Sequence, residues 1–154
     1  MARTVRDIEK IWLNVEGVKK LSDRVIGIGP FGVGLDGLLT WVPVVGSAYT
    51  VGAALWLLLQ AMQARASTAT TLRMLAYLGI DSATTLVGEG IPLLPDAVDT
   101  IFQGHALAAK ALQKDIESTH WVEASERDAR SSGDHERHVR EGRAAGKRRV
   151  VYLG

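Results

Sequence analysis

The sequence predicts a small, all-α, membrane-associated protein built around two pseudo-repeated proline-turn-helix units behind an N-terminal amphipathic helix. Three observations carry this expectation. Apolar residues recur at helical steps through the first 28 positions, the middle of the chain is almost free of charge, and one short pattern occurs twice. Residues 42–47 read VPVVGS and residues 91–96 read IPLLPD. Each copy holds a branched apolar residue, a proline, two apolar residues, a turn residue (Gly46 or Pro95) and a helix-capping residue (Ser47 or Asp96). A proline disfavours helix in the residue before it, and a short polar side chain caps the helix that follows.

At 154 residues the chain is one domain, with a polar extension. It is 47% hydrophobic with a mean hydropathy of +0.08. Between Gly29 and Lys110 only Asp36, Arg65, Arg73, Asp81, Glu89, Asp96, Asp99 and Lys110 itself are charged. A net charge of +1 argues against a dominant nucleic-acid field. With no cysteine, disulfides, thiol catalysis and cysteine-ligated metals are excluded. The N-terminus lacks the pattern of a secretory signal, so secretion is not expected, and the uncharged middle of the chain makes a membrane, the bacterial inner membrane, the expected location. The expected divisions are an amphipathic helix over 1–28, an apolar helical core over 29–117 and a charged tail over 118–154.

The first element is a helix over residues 4–28. Val5, Ile8, Ile11, Trp12, Val15, Val18, Leu21, Val25 and Ile26 recur at three- and four-residue steps, and Thr4 with Asp7 forms a capping box with Asp in place of Glu. The preferred reading packs this helix on its own domain. Lying on a membrane surface and pairing with a second copy remain alternatives. The glycine-rich run over 27–37, GIGPFGVGLDG, lacks the lysine and hydroxyl residue of a P-loop and the setting of a dinucleotide fold. It reads as a turn, hinge or close helix contact.

From Gly37 to Ala64 there is no charge. Pro43 and Gly46 break the backbone, and Ser47 starts a helix without a continuous polar face. Such a helix is either a buried core element or a membrane span. Trp41, Tyr49 and Arg65 suit an interface, so insertion of residues 42–64 is the preferred reading. Ser67 caps a third helix that is expected to end near Gly79. A fourth, amphipathic helix begins at Asp96, with Asp99 three residues on. Beyond Glu117 the charged, serine- and glycine-broken sequence reads as mobile or weakly helical. Its last stretch, RVVYLG, reads as a frayed end or a docking peptide.

Taken in order, LDGLLTWVPVVGS, LRMLAYLGID and GIPLLPDAVDTIF resemble the family of domain of unknown function 4112, over about residues 33–112. The matching positions are Asp36, Pro43, Gly46, Arg73, Met74, Asp81, Pro92, Asp96 and Asp99. Ser47 stands where that pattern has Asp, Pro95 where it has Gly, and Tyr77 and His105 where it has Asn. The resemblance implies a small helical, membrane-associated protein and no assigned activity.

No catalytic, cofactor or metal site is expected. Asp81, Glu89, Asp96, Asp99 and His105 form a conceivable oxygen-rich set for a hard cation, but Asp96 and Asp99 already serve as caps. Ser82, His105 and Asp99 supply triad residue types without a nucleophile elbow. His105 reads as a hydrogen-bonded core residue, while His120, His135 and His138 read as solvated. The structural candidates are Asp36, Pro43, Gly46, Ser47, Arg73, Asp81, Pro92, Asp96, Asp99 and His105. A carboxylate in hydrocarbon costs about 2.5–3.5 kcal/mol, so Asp36 and Asp81 are expected to have polar partners. The expected role is an accessory or scaffold component that contacts the bilayer and membrane-protein partners or itself, without nucleic acid. A soluble helical domain that self-associates through apolar faces is the alternative, and an ion- or proton-handling unit comes third.

Overall fold

The computed structural model describes residues 1–26, 43–88 and 95–154. The described elements are α1 (Val5–Ile26), α2 (Pro43–Gln63), α3 (Thr68–Gly88), α4 (Pro95–Glu117), β1 (Thr119–Val122), α5 (Glu126–Ser132), α6 (Asp134–Ala144) and β2 (Arg149–Tyr152). The chain is mostly helical, and the two strands form a small parallel pair with Thr119 beside Arg149 and Val122 beside Tyr152.

α1 starts as its sequence dictates. The Asp7 N–H donates to Thr4 Oγ1 at 3.2 Å, and the Thr4 N–H donates back to Asp7 Oδ2 at 3.1 Å, so each end of the box satisfies an orphan donor. The Arg3 N–H, followed by Thr4, holds the Asp7 carboxyl below its ordinary range. That contribution is full above the ordinary carboxylate range and is lost as pH falls through the lowered value. The apolar face of α1 buries Ile8, Ile11 and Val15 in the main core. Packing on its own domain is therefore the arrangement this helix adopts. Two polar contacts fix its position on α4: Gln113 Nε2 donates to Glu16 Oε2 at 2.8 Å, and Trp12 Nε1 donates to Glu117 Oε1 at 3.0 Å.

The helix starts around the repeated pattern differ from the expectation. α2 begins at Pro43, four residues before Ser47, and α4 begins at Pro95, one residue before Asp96. Proline suits the first helical position because its missing N–H is unneeded there and its φ is already helical. Gly46 and Ser47 thus lie within the first turns of α2 and do not form a turn and a cap. α3 also runs past Gly79 to Gly88. An interior glycine costs a helix only about 1 kcal/mol relative to alanine, too little to stop one held by packing. Asp36, Glu89, Pro92, the glycine-rich run and the proposed facing of the two proline motifs lie outside the described residues.

Ile8, Val15, Leu57, Met74, Leu112 and Leu153 are among the most deeply buried side chains. Ala61, Ala64, Ala108 and Ala109 join them, and their small size permits close helix contact. α4 is the central element, packing most extensively on α3 and then on α1.

Leu153 belongs to this core, which corrects the reading of residues 118–154 as a mobile or weakly helical tail. The segment folds as β1–α5–α6–β2 and returns to the helices. The alternation of a strand explains how. Thr119, Trp121, Arg149 and Leu153 engage the helical core, while Val122, Val150 and Tyr152 join a second cluster with Ala129. RVVYLG is a docking segment for its own chain.

One buried carboxylate joins the two parts. Asp115, in the last turns of α4, accepts from Ser67 N at 3.0 Å, Ser67 Oγ at 2.9 Å, Thr70 Oγ1 at 3.1 Å and Arg149 at 2.6 Å. Ser67 Oγ in turn accepts from the Thr70 N–H at 3.2 Å, confirming it as the cap of α3. Arg149 also donates to Thr119 Oγ1 and to the Arg65 carbonyl.

Arg65 closes α2 in a left-handed conformation with φ 49°. The Ala66 N–H reaches the Ala61 carbonyl at 2.9 Å and the Arg65 N–H reaches the Met62 carbonyl at 3.1 Å, the bonding of a Schellman cap. Glycine ordinarily occupies this position. Here the side chain has a task, because its guanidinium donates to the Tyr152 and Leu153 carbonyls.

Two stability predictions follow from these contacts. Asp115→Ala leaves Arg149 without its buried partner and is expected to cost about 3 kcal/mol in urea unfolding. A loss below about 1 kcal/mol would place the pair among weak surface bridges. Arg65→Gly relieves left-handed strain of about 1 kcal/mol but removes charge-assisted bonds worth more, so a net loss of about 2 kcal/mol is expected. A gain in thermal stability would show that strain outweighs the latch.

Candidate functional site

Among the described residues, two features stand apart from simple packing: an apolar surface on α2 and α3, and a histidine cluster on the β1–β2 unit.

On α2, Val51, Leu55, Leu59 and Met62 recur at steps of four, four and three, so they form one stripe. Leu55 is 58% exposed and Met62 61% exposed. The opposite face contributes Leu57, Ala61 and Ala64 to the core. On α3, Leu72, Leu75 and Ile80 are exposed while Met74 and Leu78 are buried. Residues 51–80 contain two arginines and no carboxylate. Arg65 is used internally, whereas Arg73 is exposed beside Leu72. Large apolar side chains scattered singly are ordinary, whereas a stripe at helical spacing such as that of α2 is a candidate contact surface.

Among the described residues, no helix is long and apolar enough to cross a membrane. The expectation that residues 42–64 form a span therefore gains no support from the described residues. α2 contains Gln60 and Gln63 in its last turns, and its inner face is used for packing on the other helices.

The histidine cluster is built by the tail. α6 carries His135, His138 and Glu141 at three-residue steps, and β1 carries His120. His120 Nε2 lies 3.9 Å from Glu141 Oε2, and His138 Nδ1 lies 3.4 Å from the same oxygen. The His120 and His138 ring centroids are 6.4 Å apart. His135 Nδ1 pairs with the Tyr152 hydroxyl at 3.0 Å. Burial, then the charge of Glu126, raises the Tyr152 hydroxyl above its ordinary value. Gly142 permits the close approach of α6 to β1, since a Cβ there would lie 3.1 Å from His120 Cβ. The reading of His120, His135 and His138 as solvated is therefore corrected: all three are partly buried, His120 and His138 lie beside one another, and His135 and His138 both pack on Tyr152. The spacing His-x-x-His-x-x-Glu was visible in the sequence, but the contribution of His120 depends on a strand that was not.

The structure does not gather the other sequence candidates into one site. Pro43, Gly46 and Ser47 lie in the first turns of α2, Asp81 lies within α3, and Asp96 and Asp99 lie in the first turns of α4. The side chains of Ser47, Asp81, Asp96 and Asp99 lie outside the described set. Arg73 is exposed on α3, and His105 is 6% exposed on α4.

No curated protein and no solved structure matches the chain. A family model does match, over residues 11–116, from the second turn of α1 to the last turn of α4. The stretch includes Arg73 in the exposed α3 face, the proline-started helices and Asp115, and it covers more than half of the sequence. The chain therefore belongs to the family described as Domain of unknown function (DUF4112).

Proposed function

We propose that this protein is a non-enzymatic accessory or scaffold component of a membrane assembly, attached to the bilayer surface through α2 and α3. The expected setting is the bacterial inner membrane. The exposed apolar stripe on α2 carries the reading. Val51, Leu55, Leu59 and Met62 are exposed on α2, opposite the face that packs in the core. Their burial in the boundary between headgroups and acyl chains is favourable at about 25 cal/mol per Å² of apolar surface. Arg73 is exposed, and no carboxylate occurs over residues 51–80, so anionic headgroups meet no opposing charge there. In this reading the bilayer holds α2 and α3, while the polar elements of the tail remain available to partner proteins.

Vesicle flotation tests the attachment. The full chain is expected to float with vesicles of phosphatidylglycerol and phosphatidylethanolamine and to remain bound through a high-salt wash. Leu55→Glu with Leu59→Glu should reduce the floating fraction at least about tenfold, because charge replaces the inserting surface. Circular dichroism should report unchanged helicity, since both side chains are exposed. Equal flotation of the variant, or a chain that forms dimers and ignores vesicles, would contradict the proposal.

A further inference from the structure

We propose that His120, His138 and Glu141 form a binding site for a divalent transition-metal ion of the zinc class, clamped between β1 and α6. The nearest donor atoms of the three residues all lie within 4.8 Å of one another. Two of the separations are 3.4 Å and 3.9 Å. Ligands on a tetrahedral zinc at about 2.0–2.1 Å stand roughly 3.3 Å apart. Small side-chain movements therefore bring all three donors onto one ion.

The donor set also selects the class of ion. Two imidazole nitrogens and one carboxylate oxygen suit zinc and its neighbours, while magnesium and calcium prefer all-oxygen shells. Three protein ligands leave a fourth position for water or another small ligand.

The backbone prepares this geometry. His138 and Glu141 are one helical turn apart on α6, so they share a face. His120 is held in register by the pairing of β1 with β2. Gly142 lets α6 lie against His120, and its replacement by alanine would press on the His120 side chain. The neighbouring His135 is already bonded to Tyr152, which assigns it a supporting place beside the site and not a place in it. These residues lie beyond the family match, which ends at residue 116. The inference does not rest on the membrane reading.

The test is zinc titration of the full chain without a histidine purification tag, followed by calorimetry and by the visible spectrum of cobalt as a zinc substitute. One zinc ion per chain is expected, with a raised melting temperature as the ion binds the folded state. Magnesium should produce no such shift. His120→Ala, His138→Ala and Glu141→Gln should each weaken zinc binding by more than about tenfold, the loss typical of removing even an outer partner. Glu141 is exposed, so its conservative replacement leaves folding intact and keeps the test decisive. His135→Ala should retain binding. Absence of saturable zinc uptake, unchanged uptake in all three ligand variants, or an equal loss in His135→Ala would overturn the assignment.

Discussion

The buried carboxylate of Asp115 is the constraint on which the arrangement depends. A carboxylate withdrawn from water needs partners, and this one meets the hydroxyls of Ser67 and Thr70, the Ser67 amide and the Arg149 guanidinium. The carboxylate and its partners come from three parts of the chain. Ser67 and Thr70 form the start of α3, Asp115 closes α4, and Arg149 opens β2. Satisfying one charge therefore fixes where α3 begins, how it crosses α4 and where the chain's last strand lies. Arg65 completes the arrangement from the end of α2 by binding the carbonyls of Tyr152 and Leu153. Its Nε is buried with no hydrogen-bond partner among the described residues, a cost accepted alongside the left-handed backbone.

The family match places a division within this hub. Residues 11–116 contain Asp115, Ser67 and Thr70, whereas Arg149 comes from the segment beyond the match. The carboxylate and its hydroxyl partners join α3 to α4 within the family region, and the strand unit adds the cation. The same attachment brings Leu153 into the core and orients α6 over His120. A site on the strand unit is thus mechanically tied to the helices, while the apolar stripes of α2 and α3 remain exposed.

Much of the helical part was legible in the sequence because its signals are local. The Thr4–Asp7 box, the face of Ile8, Ile11 and Val15, and the Ser67 cap depend on residues at most a few turns apart. The helix starts at Pro43 and Pro95 were displaced from the expected caps because proline serves both as breaker and as first helical residue. The strand unit was illegible for another reason. β1 and β2 are four residues each, too short for a pattern to stand out, and Thr119 meets Arg149 across a separation of 30 residues. The charged composition suggested a solvated tail, yet most of its charges fall on α5 and α6, and Arg149 serves the Asp115 hub. Of the candidate site, the exposed apolar residues of α2 were visible within an uncharged run, but which of them face outward depends on the tertiary packing.

Native-state hydrogen exchange tests the central claim, that the strand unit and the helices form one cooperative structure. The Arg148 N–H donates to the Ser118 carbonyl at 2.7 Å and the Leu153 N–H to the Val122 carbonyl at 2.9 Å, so both amides report on the attachment of β2. Both amides are expected to open with the same free energy as the core amides of α4 around Leu112. Exchange of both amides at unfolded-chain rates, while α4 stays protected, would contradict it.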